Sequence, residues 1–486
     1  VHLPRTTVEV RMRAADETAE RRSDQASKNY AELYQEIYRR HSDLGSERVR
    51  EGRSIQLRSL GVVAKGDPRP VRTWLAARRL TPIQQRLVKD YTQQQEATAG
   101  QVMAVIIDLD SDLSAVTQSL NSLRHELEVP NVSSLVFSVA VPPVGHDGQW
   151  QQVDKHTWID ELNSTLASAS ADWVMLCRAG DEFASSGLQM VSLELQANPD
   201  CRAIYADGLF RQDDADYGLA LRPDFNLDYL LSFPQGMSQH WLFNRENLVS
   251  LGGFDAQNGE AMELDLILRL INQHGLTGLG HVPEPLVLSK ALVLRDSELE
   301  RSVIKTHLAA RGYPQASVKS VLPGQYQIDY GHADKPLVSI VVLVSDELAA
   351  AQRCVMSVLE NTAYGQYEIL LIDNASRESA TLEWLGALEQ MDAALVKVLR
   401  SGERLSLSDA NNQAALNASG DYLFLLDPDV AVINDHWLDE LMNHAQRPEV
   451  GVVGLCTVNA DGKITHAGQV LGLQGPAGEV FLGEPL

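Results

Sequence analysis

The sequence predicts an α/β protein: two tandem domains, each a mainly parallel sheet covered by helices, behind an α-helical N-terminal region. Three observations predict it. From Val102 onward, apolar runs of strand length alternate with segments of helix length, the pattern of a parallel sheet with crossover helices. That pattern restarts at Val338. The segment from Asn163 to Gly208 also lines up without a gap on the segment beginning at Asn412, at an offset of 249. In that alignment ASADWVML meets ASGDYLFL, with Asp172 on Asp421, and Asn198-Pro199-Asp200 meets Arg447-Pro448-Glu449. Self-similarity of this kind marks a duplicated unit. The expected division is a helical region over 1–98, a first α/β domain over 99–330, and the front half of a second over 331–486.

Each element has its own signal. Tyr30, Leu33, Tyr34, Ile37 and Tyr38 fall on one face of a helix, which Leu44-Gly45 ends. Thr81-Pro82 is an N-cap followed by proline in the first turn. Behind it, Ile83, Leu87, Val88 and Tyr91 form a stripe expected to pack. Ala104 to Asp110 reads as a buried strand, Leu113 to Leu127 as the next helix, and Leu135 to Val141 as a second strand. After the restart, Val338 to Val344, Tyr367 to Asp373 and Tyr422 to Leu426 read as strands, with a helix over Ala349 to Leu359.

The totals exclude some functions. The chain has 486 residues, 44% of them hydrophobic, enough for two or three globular cores. Net charge is −24, with 19 Lys+Arg against 13 Asp+Glu in residues 1–100 and 22 against 52 in the remainder. An acidic body of this kind does not suit a nucleic-acid ligand. The basic N-terminal segment either packs on that body or meets an anionic membrane surface or polymer. No apolar run reaches the roughly 18–20 residues of a membrane span, and no signal peptide is visible. Cys177, Cys201, Cys354 and Cys456 lack CxxC spacing, so reduced thiols in a cytoplasmic protein are expected, peripheral at the inner membrane face if the basic segment binds there. The sequons at Asn131, Asn163, Asn374 and Asn417 are read as chance matches. With Val1 first and a glycine-rich stretch before Leu486, the chain reads as a piece of a longer protein.

The chemistry is expected at Asp427-Pro428-Asp429, directly after the strand Tyr422 to Leu426. Ligands of parallel sheets gather beyond the C-terminal strand ends. Two carboxylates there can share Mg²⁺ or Mn²⁺, which typically takes one or two protein carboxylates and fills its shell with substrate phosphates and water. Ser345 and Asp373 end the neighbouring strands and should face the same crevice. A lone DxD is usually a surface turn; here a buried strand precedes it and a helix with Trp437 and Leu441 follows.

The segments PLVSIVVLVS, SVLENTAYGQYEILLIDNAS, ANNQAALNASGDYLFLLDPDV and RPEVGVVG followed by ADGKITHAGQVLG resemble the family 2 glycosyltransferases of GT-A fold. Within that family they resemble bacterial enzymes of O-antigen, polysaccharide and flagellin glycosylation, often described as rhamnosyltransferases. The resemblance covers Lys335 to Leu486. It implies inverting transfer of a sugar from a nucleotide-diphosphate sugar to a glycan or protein acceptor. Asp373, with Ser345 and Asn374, would meet the donor base. Asn411 and Asn412 would line the donor pocket, and Asp427 and Asp429 would hold the metal on the diphosphate. His466 is a weaker candidate. One departure is Val344-Ser345, where relatives carry Pro-Thr or similar. The family's base lies in a later GGFD…DxDLxLR segment, absent from the 57 residues after Asp429.

The first domain is the mirror case. The repeat places Arg178 on Asp427 and Gly180 on Asp429, so the metal carboxylates are missing. Yet LGGFDAQNGEAMELDLILRL (Leu251 to Leu270) resembles the acceptor-half segment, with Glu263 at the base position and Asp265 as second carboxylate. Two readings follow: a metal-independent transferase in which Arg178 contacts the diphosphate, or a degenerate domain kept for structure, acceptor binding or dimerisation. For the whole chain, the alternative to an enzyme is a pseudo-glycosyltransferase that binds glycan or scaffolds a partner. A nucleotidyltransferase is disfavoured, since Val344 to Ala351 has no glycine for a phosphate loop. Oligomeric state, sugar and acceptor are not encoded in any motif.

Overall fold

The computed structural model describes residues 100–485, apart from 127–131, 147, 185–186, 212–216, 391–393, 472–476 and 480, together with seven positions between 71 and 87. The helix expected over Tyr30 to Tyr38 lies outside the described residues. Thr81 caps as expected: its Oγ1 accepts from Gln84 N (3.3 Å) while Gln84 Oε1 accepts from Thr81 N (2.9 Å), a reciprocal capping box. Ile83 and Leu87, expected to pack, are 73% and 49% exposed. Val71 instead docks with Ala184, Leu209 and Leu219.

The first sheet is built from β1 (Val102–Asp108), α1 (Leu113–Glu126), β2 (Val132–Ser138), β3 (Gln149–Gln152), α2 (Trp158–Ser168), β4 (Trp173–Arg178), β5 (Glu182–Phe183), α3 (Gly187–Ala197), β6 (Ala203–Arg211) and β7 (Tyr217–Ala220). It continues with α4 (Leu227–Ser232), α5 (Pro234–Met237), β8 (Leu242–Asn244), α6 (Arg245–Ser250), α7 (Met262–His274) and β9 (Leu279–Lys290). Its order is β3-β2-β1-β4-β8-β6-β9-β5, with β7 on β6. The first four strands are parallel. β8 then joins β4 antiparallel, and β6 runs parallel to β9. Both faces of β1 and β4 are buried, which explains their unbroken apolar runs. The core below centres on Tyr205, Trp241, Phe243 and Phe254. Tyr205 and Trp241 rings lie 4.6 Å apart.

Helix α8 (Glu298–Ala310) and a hairpin of β10 (Ser317–Leu322) and β11 (Gln325–Asp329) lead to the second sheet. That sheet comprises β12 (Val338–Val344), α9 (Leu348–Glu360), β13 (Tyr367–Asn374), α10 (Ser379–Leu388), β14 (Val396–Ser401), α11 (Leu407–Asn417) and β15 (Tyr422–Leu426), followed by α12 (Trp437–Ala445). Its order is β14-β13-β12-β15, all parallel. This is the order of the first four strands of the first sheet. The offset of 249 carries α2 onto the bounds of α11, and the start of β4 onto the start of β15. Local geometry repeats too. Gln101 O accepts from the amides of Asp172 and Trp173, and Leu337 O from those of Asp421 and Tyr422. Gly420 is required at the second turn, because a Cβ there would lie 2.7 Å from Leu337 O.

The sheets differ at one edge. β4 is covered by β8, and Val174 and Leu176 are 0% and 3% exposed. β15 ends its sheet, and the counterparts Leu423 and Leu425 are 47% and 55% exposed. Among the described residues no helix is long and apolar enough to cross a membrane. All four cysteines are free thiols, with only Cys456 exposed.

Candidate functional site

All four strands of the second sheet end on one side, so the residues after them share one crevice. Val344 pairs in register with Asp373, and Asp373 with Arg400. Ser345 follows β12 directly and is half-buried. β15 lies on the other side of β12, two strands from Asp373, or about 10 Å across the sheet. Asp427 and Asp429 stand exposed just beyond it. Asp427 Oδ1 accepts from the Asp429 amide (2.9 Å), which fixes the triplet as a tight turn. Helix α9 clamps what surrounds it. The Cys354 thiol donates to Asp427 O at 3.7 Å, Ser357 Oγ accepts from Val432 N at 2.9 Å, and Asn361 Nδ2 donates to Val432 O at 3.1 Å. Burial, and then the Asp427 charge, push the Cys354 thiol up to about 12, so it remains a neutral donor.

This donor set fits a hard divalent cation. Both side chains offer oxygens to solvent, and neither is tied to a Lys, Arg or His among the described residues. No group of three or more His, Cys, Asp or Glu positioned for a metal occurs among the described residues. Two carboxylates alone would hold the ion loosely and leave most of its shell to a diphosphate.

The other expected residues divide by what they touch. Asp373 is 4% exposed and already engaged: Oδ1 accepts from Ser376 N (3.0 Å) and Oδ2 pairs with Arg400 (3.2 Å). Arg400 also pairs with Glu389 at 2.9 Å and lines a cleft of about 620 Å³ with Ser401, Leu405 and Asp409. Sequence reasoning missed Arg400, whose part depends on β14 pairing with β13. Asn374 is turned to scaffolding. It accepts from Leu405 N (2.7 Å) and donates to Leu405 O (3.2 Å), anchoring the entry to α11. Asn411 and Asn412 lie on α11, half-buried and exposed respectively. The counterpart of Asn412 is Asn163, whose amide grips Phe254 O (2.7 Å) and Phe254 N (2.8 Å). His466 sits in a separate hairpin opposite Thr457.

The first sheet gathers a different set at the same place. Arg178 ends β4 and is exposed. Its amide donates to Asp181 Oδ2 (2.7 Å), and the same oxygen pairs with His240 Nε2 at 2.9 Å. Glu263 and Asp265 share the first turn of α7. Asp265 is committed to Arg269 (2.7 Å), which donates to Leu251 O and Gly253 O and so holds the glycine turn. Glu263 Oε1 is sealed from solvent and accepts no hydrogen bond. Burial raises the Glu263 carboxyl to about 7, opposed by the charges of His240, Arg178 and Arg222 and reinforced by Asp181. Arg222 donates its amide to Asp207 (2.8 Å) and Nη1 to Gln239 O (2.9 Å), while its Nε is buried without a partner. Sequence reasoning placed Arg178 and Glu263 here, met Arg222 as the start of the acceptor-half segment RPDFNLDYLL without giving it a role, and missed His240. Arg222 comes in on the loop that follows β7 and His240 on the turn into β8, which no local motif reports.

Residues 339–478 match the family model described as glycosyl transferase family 2. The chain is 34% identical over 333 residues to the O-antigen biosynthesis protein RfbC of Myxococcus xanthus, spanning 66% of this chain and 25% of that protein. It is 31% identical over 332 residues to the uncharacterized protein y4gI of Sinorhizobium fredii, spanning 66% of this chain and 36% of that one. The chain thus spans a quarter to about a third of these relatives. Among solved structures it is similar to S. aureus TarS, at 10% identity and a TM-score of 0.34 over 43% of this chain and 39% of that one.

Proposed function

We propose, from the match of residues 339–478 to the glycosyl transferase family 2 model, that the parent protein moves a sugar from a nucleotide-diphosphate sugar onto a glycan or protein acceptor, with inversion, in bacterial surface polysaccharide or flagellin glycosylation. The observation that carries the proposal is the exposed Asp427-Pro428-Asp429 turn at the C-terminal edge of a parallel sheet, with no paired cation among the described residues. Asp427 and Asp429 would hold Mg²⁺ or Mn²⁺, whose contribution would be Lewis-acid stabilisation of the diphosphate leaving group. Asp373, pre-oriented by Arg400 and Ser376, is set to meet the base of the donor, with Ser345 beside it. Asn411 and Asn412 flank the same crevice on α11. Glu263 belongs to the first sheet and not to this crevice; for a transfer by the first sheet itself it is the carboxylate suited to taking a proton from an acceptor hydroxyl, since burial brings it near neutrality, and Asp265 positions the turn beside it. Free thiols suit the reducing, cytoplasmic side of a membrane.

Calorimetric titration of UDP- and dTDP-sugars, with and without Mn²⁺, tests the reading. Binding that requires Mn²⁺ and disappears in Asp429→Ala is the expected outcome. No nucleotide binding under either condition would overturn it. The second reading, a non-catalytic glycan-binding or scaffolding module, is favoured by Arg178 and Gly180 standing at the repeat positions of Asp427 and Asp429. It predicts glycan binding that is indifferent to nucleotide and metal.

A further inference from the structure

The loops that leave β12 and β13 are locked together by one carboxylate, Asp346. The family-like segment PLVSIVVLVS stops at Ser345, one residue short of it. Asp346 Oδ1 accepts from the amides of Arg377 (2.8 Å) and Glu378 (2.9 Å), the two residues that lead into α10. In return, the Asp346 amide donates to Ser376 Oγ at 3.4 Å, and Ser376 N donates to Asp373 Oδ1 at 3.0 Å. Glu378 stands at the N-cap of α10, but its side chain caps nothing. The acceptor at that helix entry therefore comes from the loop of the neighbouring strand. Both loops turn on a non-glycine residue in the left-handed region, Asp346 at φ 62° and Ala375 at φ 58°. Aspartate tolerates that conformation better than alanine does. Such strain persists only where the surroundings hold it, and it concentrates at ligand sites.

The first sheet shows that the fold does not demand this lock. Asp108 pairs with Ser138 in register as Val344 pairs with Asp373, so the acid there ends the central strand instead of its neighbour. Asp108 Oδ1 accepts from Asp110 N (3.3 Å) and Asp112 N (2.9 Å), both in its own loop, and Oδ2 accepts from the Ser138 hydroxyl (2.7 Å). Asp110, two residues past the strand end as Asp346 is, stands exposed and meets Lys155 at 3.4 Å. The sheet without the DPD carboxylates is also the sheet without the lock between loops.

We propose that Asp346 is a positioning residue of the second crevice: it holds the two loops in one arrangement, so that Ser345 and Asp373 form a ready-made wall for the nucleoside. This rests on the donor-site reading of the second sheet and adds to it a residue that acts through Ser345 and Asp373. The lock lies on the β13 side of β12, whereas Asp427 and Asp429 lie on the β15 side. It therefore acts on the nucleoside end of a ligand and not on the metal-bound diphosphate. Holding the loops before the ligand arrives removes their ordering cost from binding.

The test is calorimetry in Mn²⁺ on the full chain, with UDP, dTDP and pyrophosphate as separate probes. Asp346→Ala removes the acceptor and disfavours the left-handed backbone, Asp346→Gly removes the acceptor alone, and Asp346→Asn keeps an acceptor and tolerates the backbone. Asp346→Ala and Asp346→Gly should weaken the nucleotides about tenfold and leave pyrophosphate within about twofold, while Asp346→Asn restores the wild-type affinities. A merely structural role would lower the melting temperature of the alanine and glycine variants while every probe, referred to folded protein, keeps its wild-type affinity. That outcome overturns the proposal, as does a loss that falls equally on pyrophosphate and nucleotide. Wild-type protein that binds none of the three probes overturns the donor-site reading and this proposal with it. Wild-type nucleotide binding that Asp346→Ala leaves whole overturns the positioning role alone.

Discussion

Single residues carry most of the functional argument, and Glu263 carries it in a form that stability can report. Its folded pKa is about 7 against an ordinary 4.5, chiefly through burial. Between those values the folded state keeps a proton that the unfolded state has released. Stability therefore falls as pH rises through that window: the cost is absent below about pH 4.5 and complete above about pH 7. Glu263→Gln removes the cost, so the variant should exceed the wild type by as much as about 3 kcal/mol at pH 8 and match it near pH 4. Urea denaturation of both proteins across this range measures the difference. A gap that does not change with pH would show that the carboxyl titrates normally. Glu263 was legible from the GGFD segment and Arg178 from the repeat, but the surroundings that Arg222 and His240 give Glu263 were not. Arg222 and His240 lie 41 and 23 residues upstream and reach it only through tertiary folding. Asp265, which the motif ranks beside Glu263, is spent on Arg269. A sequence pattern names the carboxylates of a turn but not which one is left free.

Elements were more legible than sites because periodicity and strand length are local. β12 and β15 have the bounds their apolar runs predict, and the repeat offset carries α2 onto α11. Hidden from the sequence was the different fate of two matching strands. YLFLL and WVMLC read alike, yet β4 is sandwiched by β1 and β8, while among the described residues β15 pairs with β12 alone. Burial of a strand face depends on what the rest of the chain adds. Leu176→Ala should cost about 2–5 kcal/mol, as a buried truncation does. Leu425→Ala, at the matching position but 55% exposed, should cost under about 1 kcal/mol. Chemical denaturation of the two variants decides it. A large loss at Leu425 would mean that its face is covered in solution. The same contrast bears on Asn412. Its counterpart Asn163 holds the glycine turn before Phe254 through two hydrogen bonds, so the residue type at this repeat position serves equally to grip a following loop and to face a donor.

At the scale of the whole molecule, the two sheets are joined by one buried polar knot. Arg447, after α12, is 4% exposed and forks onto Asp228 of α4, with Nη2 3.0 Å from Oδ2. Its Nη1 also donates to the Tyr330 hydroxyl (2.7 Å), and its guanidinium lies 4.8 Å from the centre of that ring. Asn443 reinforces the joint, accepting from Tyr330 N (2.8 Å) and donating to Ile328 O (2.8 Å). Sequence reading met Arg447 as the first residue of RPEVGVVG and as the repeat counterpart of Asn198, in neither case with a partner, because nothing local announces one 219 positions away. The physical consequence is cooperativity. Breaking one side of a buried ion pair costs about 3–5 kcal/mol, since the remaining charge is stranded. Here that cost falls on the contact between the sheets rather than on either core. Arg447→Met keeps much of the side-chain volume and removes the charge. The wild type should therefore unfold as one calorimetric transition, and Arg447→Met as two, the lower of them shifted up by the Mn²⁺–nucleotide complex if it belongs to the second sheet. A single transition in both proteins, merely lowered in the variant, would mean that contacts other than this pair couple the halves.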